Sequence, residues 1–173
     1  EVERSSKHIV VEGPPTDVAL LMQGMSPSNE EYYPTVVISK LLKILKDPSL
    51  AAYHSSCIQT IVLIFKTITI TCIKFTGSII EAIISVMHTC PPSMLEFYFQ
   101  QISALISIVK QHIRPFLPEV FDTIKEYFHL ANLQVTIISL IESIAKALDG
   151  EFKTHIPSVL PLLLDALGND KTT

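Results

Sequence analysis

The chain has 173 residues, 48% hydrophobic and only 17% charged. That charged fraction is well below the roughly 25% usual for soluble domains, so a core or a neighbour must cover much of the surface. A formal net charge of −4 supplies no broad basic field, which argues against nucleic acid or an anionic membrane as the main partner. Cys57, Cys72 and Cys90 are odd in number and form no CxxC pair, which excludes a disulfide framework or zinc ribbon as the expectation and fits a reducing compartment.

In chain order, residues 1–17 carry Gly13, Pro14 and Pro15 among polar neighbours and read as a linker or loop without the tracts of a signal peptide. With no initiating Met, the sequence reads as a piece of a longer protein. Val18–Met25 is expected to form a short apolar helix, and Ser26–Glu31 a break followed by a helix start.

A regular pattern then begins. Offsets of two, three, six, nine and ten from Thr35 give Val37, Ile38, Leu41, Ile44 and Leu45. From Gly77 they give Ile79, Ile80, Ile83, Val86 and Met87; from Pro118, Val120, Phe121, Ile124, Tyr127 and Phe128; from Pro157, Val159, Leu160, Leu163, Ala166 and Leu167. Each set is one apolar helical stripe. The four anchors stand 42, 41 and 39 residues apart, so the period is about forty. Proline in the first turn of such a helix sacrifices no intrahelical hydrogen bond.

A second, more apolar helix is expected after each of the first three, over Leu50–Ile68, Met94–His112 and Leu133–Leu148. Their core stripes would be Ile58, Ile61, Val62 and Phe65; Ile102, Leu105, Ile106 and Val109; and Ile137, Leu140, Ile141 and Ile144. The turns between helices are Lys46–Ser49, Cys90–Ser93 and the polar break around Asn132, where Asp or Ser can cap free amides. Helix pairs of this period predict an all-α HEAT-repeat solenoid, a right-handed array of about three and a half hairpins with approximate units 31–70, 73–112, 115–150 and 153–170. Both flanks of the array would leave apolar residues bare. The most apolar stretch, Leu50–Ile73, contains His54, Gln59 and Lys66 and reads as a buried helix rather than a membrane span. Thr67–Thr71, "TITIT", locally favours a strand, but a lone strand has no partner in a helical stack; a frayed helix end or extended turn is expected.

Chemistry-bearing patterns are sparse. There is no GxGxxG or GxxxxGK[ST] loop, and no kinase catalytic signature. His54 with Cys57, and His88 with Cys90, have metal-ligand spacing, yet neither pair finds a further pair, and ordinary packing is the stronger reading. Asp122, Glu126 and Glu142 are expected as solubilising carboxylates. Lys110, His112 and Arg114 suit the carbonyl end of a helix. Of the consecutive Phe97, Tyr98 and Phe99, two should be core and the third free to pack on a repeat or a partner. Ser26 before Pro27 reads as a turn before it reads as a phosphorylation site. Lys125 and Glu126 fall outside the core stripe and are expected to be available to another subunit. No catalytic, cofactor-binding or metal residue is named, and no cofactor is expected. An all-helical enzyme fragment has no nucleophile, base or metal site to support it.

Longer strings carry a sharper signal. "LMQGMSPSNEEYYPTVV" (Leu21–Val37), "ILKDPSL" (Ile44–Leu50), "EFYFQQISALISIVKQHIRP" (Glu96–Pro115) and "IESIAKALDGEFK" (Ile141–Lys153) closely resemble the TOR (target of rapamycin) kinases, fungal members especially. The similarity runs in order from about Asp17 to Asp170. Departures are "TITITCIKF", where relatives usually have a turn glycine, and Gly77, where some carry proline. The resemblance implies a stretch of the large N-terminal HEAT region of a serine/threonine protein kinase, with the catalytic domain elsewhere. It further implies a scaffold that supports dimerisation and docks accessory subunits, a Raptor-type subunit among them, and no nucleic acid or inserted membrane segment. The expected location is cytoplasmic, with the parent complex peripheral at vacuolar, lysosomal or other endomembranes. A segment of a nuclear transport receptor or phosphatase scaffold shares the architecture but not these strings.

Overall fold

The computed structural model describes residues 24–169, which contain helices and no strand. The expected linker 1–17 and nearly all of the expected helix Val18–Met25 lie outside the described residues. Helix α1 (Tyr32–Leu45) is joined by a 3-10 turn at Pro48–Leu50 to α2 (Ala51–Thr67). A single turn, α3 (Thr69–Cys72), and a 3-10 turn at Ile73–Phe75 lead to α4 (Thr76–Thr89) and α5 (Leu95–Val109). A 3-10 segment over Lys110–Phe116 then opens α6 (Leu117–Tyr127), which is followed by α7 (Gln134–Leu148). A further 3-10 segment, Asp149–Thr154, precedes α8 (Ile156–Asn169).

The second helices α2, α5 and α7 pack side by side, and α5 meets α7 most extensively. First helices keep a looser row: α4 touches α1, but reaches the next hairpin chiefly through Lys110–Phe116. One continuous core threads the stack from Ile38 to Val159. Every residue of the three second-helix stripes is buried, as are all five of the α4 stripe. Fully burying such a side chain contributes roughly 1.5–3 kcal/mol, so this row of apolar faces, rather than local helix preference, holds the stack.

Two of the described first-helix stripe positions are exposed, and Leu41, Ile44, Tyr127, Leu163 and Ala166 are only partly buried. Val37 is 43% exposed and Leu160 48% exposed. The buried face of α1 is Thr35, Ile38, Leu42 and Leu45, in step with Thr76, Ile79, Ile83 and Val86 of α4. Its register is therefore one residue off the one anchored on Thr35 and Gly77, and Leu42 takes the place assigned to Leu41. The side chain of Leu167 lies outside the described residues.

"TITIT" is neither strand nor loop. The chain kinks at Ile68 (φ −132°, ψ 49°) and resumes as α3. Thr67 Oγ1 donates to the Leu63 carbonyl at 2.9 Å and Thr69 Oγ1 to that of Phe65 at 2.8 Å. Hydroxyl back-bonding of this kind bends a helix, which explains how a β-branched run closes the hairpin without a strand partner. The equivalent ends of α5 and α7 turn differently, through Lys110 and Asp149, both at φ 51°. Of the expected caps, Asp47 performs as foreseen: its Oδ1 accepts from Ser49 N at 2.9 Å and Ser49 Oγ at 2.6 Å.

The helical run Ala131–Thr154 has the length and apolarity of a membrane span. Its apolar residues Ile137, Leu140, Ile141, Ile144 and Leu148 are nevertheless core, and its α-helical part ends at Leu148, with Asp149 at φ 51°.

Candidate functional site

Polar side chains join successive hairpins at separations close to the repeat period. Lys74 Nζ meets Glu31 Oε2 at 2.5 Å, His88 Nε2 meets Glu126 Oε2 at 3.2 Å, and Arg114 donates to Glu151 Oε1 at 2.6 Å. On the second helices, Ser103 Oγ and Ser143 Oγ lie 2.7 Å apart, and Thr136 Oγ1 donates to Glu96 Oε1 at 3.5 Å. Each exposed ion pair contributes at most about 1 kcal/mol; their effect is to fix the register of one hairpin on the next.

Between α6 and the start of α8 lies a groove of about 420 Å³, walled by Arg114, Lys125 and Glu151 over Leu117 and Phe121. His155 stacks on Phe121 with ring centroids 5.1 Å apart. The charges on both walls are already paired, Lys125 with Asp122 at 3.3 Å and Arg114 with Glu151.

His54 and Cys57 do not meet as ligands. The His54 ring is buried, with Nε2 3.1 Å from both the Ile44 and Asp47 carbonyls, so it closes the carbonyl end of α1. Nothing in the sequence pattern announces that role, because its partners are backbone groups. Cys57 is buried in the core, and Cys90 directs its Sγ to the Met87 carbonyl at 3.4 Å. Burial pushes the thiols of Cys57, Cys72 and Cys90 up from their ordinary range, which disfavours the nucleophilic thiolate. Among the described residues, no group of three His, Cys, Asp or Glu side chains converges as metal ligands would.

Tyr98 and Phe99 are core, while Phe97 is half-buried and meets Tyr98 edge-on at 5.2 Å. Arg114 departs from the helix-end role expected for it and reaches across to Glu151. Glu126 holds His88, and Glu142 pairs with Lys146 at 2.6 Å. That hydrogen bond, reinforced by the lysine charge, lowers the Glu142 carboxyl from its ordinary value. Ser26 Oγ accepts from Ser28 N at 3.3 Å within an exposed turn.

Among the described residues, the polar groups are arranged as surfaces along the stack and as contacts between hairpins. Residues 1–110 match the family model described as "Serine/threonine-protein kinase mTOR domain". The chain is 55% identical over 173 residues to "Serine/threonine-protein kinase TOR2" of Saccharomyces cerevisiae, covering 99% of this chain and 7% of that protein. It is 35% identical over 155 residues to "Serine/threonine-protein kinase mTor" of Drosophila melanogaster (89% of this chain, 6% of that protein). With "Serine/threonine-protein kinase TOR" of Arabidopsis thaliana it shares 30% over 150 residues, covering 82% and 6% respectively. The chain thus spans well under a tenth of the length of these relatives.

Proposed function

Because the chain belongs to the TOR family of serine/threonine-protein kinases, we propose that it acts as a non-catalytic scaffold segment of such a kinase. Its work is to hold distant parts of the parent at fixed spacing, to support dimerisation and to dock accessory subunits, a Raptor-type subunit among them. In this reading the phosphoryl-transfer chemistry belongs to another part of the parent, in a cytoplasmic complex peripheral to endomembranes, and the segment requires no cofactor of its own.

The supporting observation is the continuous core joined to polar contacts at one-period spacing. Such a stack transmits position, because each hairpin is fixed by its neighbour, while its buried groups are spent on packing. The relatives above are TOR kinases rather than transport receptors or phosphatase scaffolds.

The test uses the full-length kinase. Leu105→Asp and Leu140→Asp place carboxylates where α5 and α7 pack, at positions that are 0% exposed. Co-purification with a Raptor-type subunit, or with a second kinase chain, should be lost while turnover of a generic peptide persists. Unchanged assembly by both measures would refute the scaffold role.

A further inference from the structure

The first helices present an outer ridge whose chemistry changes along the stack. On α4 it is Ser78, Glu81 and Ser85, and on α6 it is Glu119, Asp122 and Glu126; the equivalent positions of α1, forty-one residues before α4, are Val37, Lys40 and Ile44. Lys43 and Lys46 extend the basic edge, and all three lysines are exposed. None of the three has an ion-pair partner among the described residues, and on the neighbouring ridges Glu81 and Glu119 have none either, so the sign of the free charge switches from α1 to α4 and α6. Beside the lysines, on the same strip, Tyr33 is 64% exposed and Val37 43% exposed. The ridge of α1 therefore combines lysines that make no ion pair among the described residues with exposed apolar side chains, in a chain whose net charge is −4.

We propose that this ridge docks an acidic amphipathic helix of a partner protein, with carboxylates against Lys40 and Lys43 and apolar side chains against Tyr33 and Val37. Charge complementarity selects the sign of the partner, and the exposed aromatic supplies an anchor of the kind that dominates interfaces. A second copy of the chain is a poorer match: the acidic ridge of α6, Glu119, Asp122 and Glu126, carries no large exposed apolar residue, and the exposed apolar strip of α8, Ile156, Leu160 and Leu164, has the single carboxylate Asp165 beside it. A membrane is also a poorer match. Polybasic lipid-binding clusters hold about 4–8 cations, while the lysines here are bracketed by Glu30, Glu31 and Asp47. The inference rests on the scaffold reading and names the chemistry of one docking surface within it.

The probe is a fluorescein-labelled amphipathic helical peptide with glutamates along one edge and leucines along its face, titrated with the chain and followed by anisotropy. Binding should weaken as salt is added, and Lys40→Glu with Lys43→Glu should reduce affinity about tenfold or more. Tyr33→Ser should reduce it independently, with the circular dichroism spectrum of each variant unchanged. Absence of binding, or affinity indifferent to charge reversal, overturns the proposal. So does tighter, lysine-dependent binding to phosphatidylserine vesicles, or self-association that the reversal abolishes. These outcomes leave the scaffold reading intact, since that reading fails only if breaking the core spares assembly.

Discussion

Gly77 lies in the first turn of α4, where alanine would ordinarily improve a helix by about 0.5–1 kcal/mol. Here a Cβ would stand 2.5 Å from Cε1 and 2.8 Å from Cζ of Phe116. Carbon atoms in contact prefer about 3.5–4.0 Å, so the ring has to retreat by about 1 Å. Phe116 is half-buried against the core at the junction with the next hairpin. Overpacking of that kind costs roughly 1–3 kcal/mol. The penalty exceeds the helix gain, and Gly77→Ala should destabilise the chain by about 0.5–2 kcal/mol, or a few degrees in Tm at about 2–4 °C per kcal/mol. The decisive assay is a double-mutant cycle in urea followed by circular dichroism. In a Phe116→Leu background, which removes the ring atoms nearest Gly77, the same alanine should become neutral or stabilising. If Gly77→Ala raises the midpoint in the parent chain, or if the two substitutions simply add, the close approach of ring and backbone is not what selects glycine.

Lys110 and Asp149 both sit at φ 51° with ψ near −130°, a conformation suited to glycine; Lys110→Gly and Asp149→Gly should each stabilise the chain by about 0.5–1 kcal/mol, read from the urea midpoint, and a loss of stability would contradict the strain. Replacing His54 by Leu strips the Ile44 and Asp47 carbonyls of their side-chain partner and should cost about 1–3 kcal/mol, with hydrogen exchange rising first at the end of α1. The Asp47 carboxyl is held below its ordinary value, first by the Ser49 hydroxyl and then by the Ser49 amide. Its contribution is therefore fully present above the unfolded-state pKa of about 4 and is lost as pH falls through the lower folded value. Asp47→Asn should accordingly flatten the acid limb of stability against pH, and an unaltered limb would discard the cap.

The second-helix stripes were legible because each is apolar throughout, packs against a like helix, and repeats without a gap. Burial at Ile102, Leu105, Ile106 and Val109 follows from spacing alone. The first helices were less legible because their stripes are narrower and one register can stand in for the next: Val37 is as apolar as Leu42, and only the packing tells them apart. His54 had the look of a ligand in the sequence, and its true partners are carbonyls seven and ten residues away, which no side-chain pattern records. The ridge of α1 was hidden for a related reason. Lys40 and Lys43 are unremarkable until the fold sets them on one exposed strip beside Tyr33 and Val37.

The unequal spacing of the two helix rows has a mechanical consequence. α5 and α7 approach closely where Ser103 faces Ser143, whereas α4 and α6 are separated by the Lys110–Phe116 segment. The molecule is then built like a fan, with the second helices as its rivet side and the first helices as the spread edge. Bending should be soft in the plane that opens or closes that edge and stiff along the rivets. A pull applied across the ends would be taken up first as small changes in the angle between hairpins, with Arg114–Glu151 and His88–Glu126 parting before the core does. A segment of this kind should bend at its spread edge before it unfolds, and salt, which screens the exposed pairs, should soften that edge while leaving the apolar rivets in place.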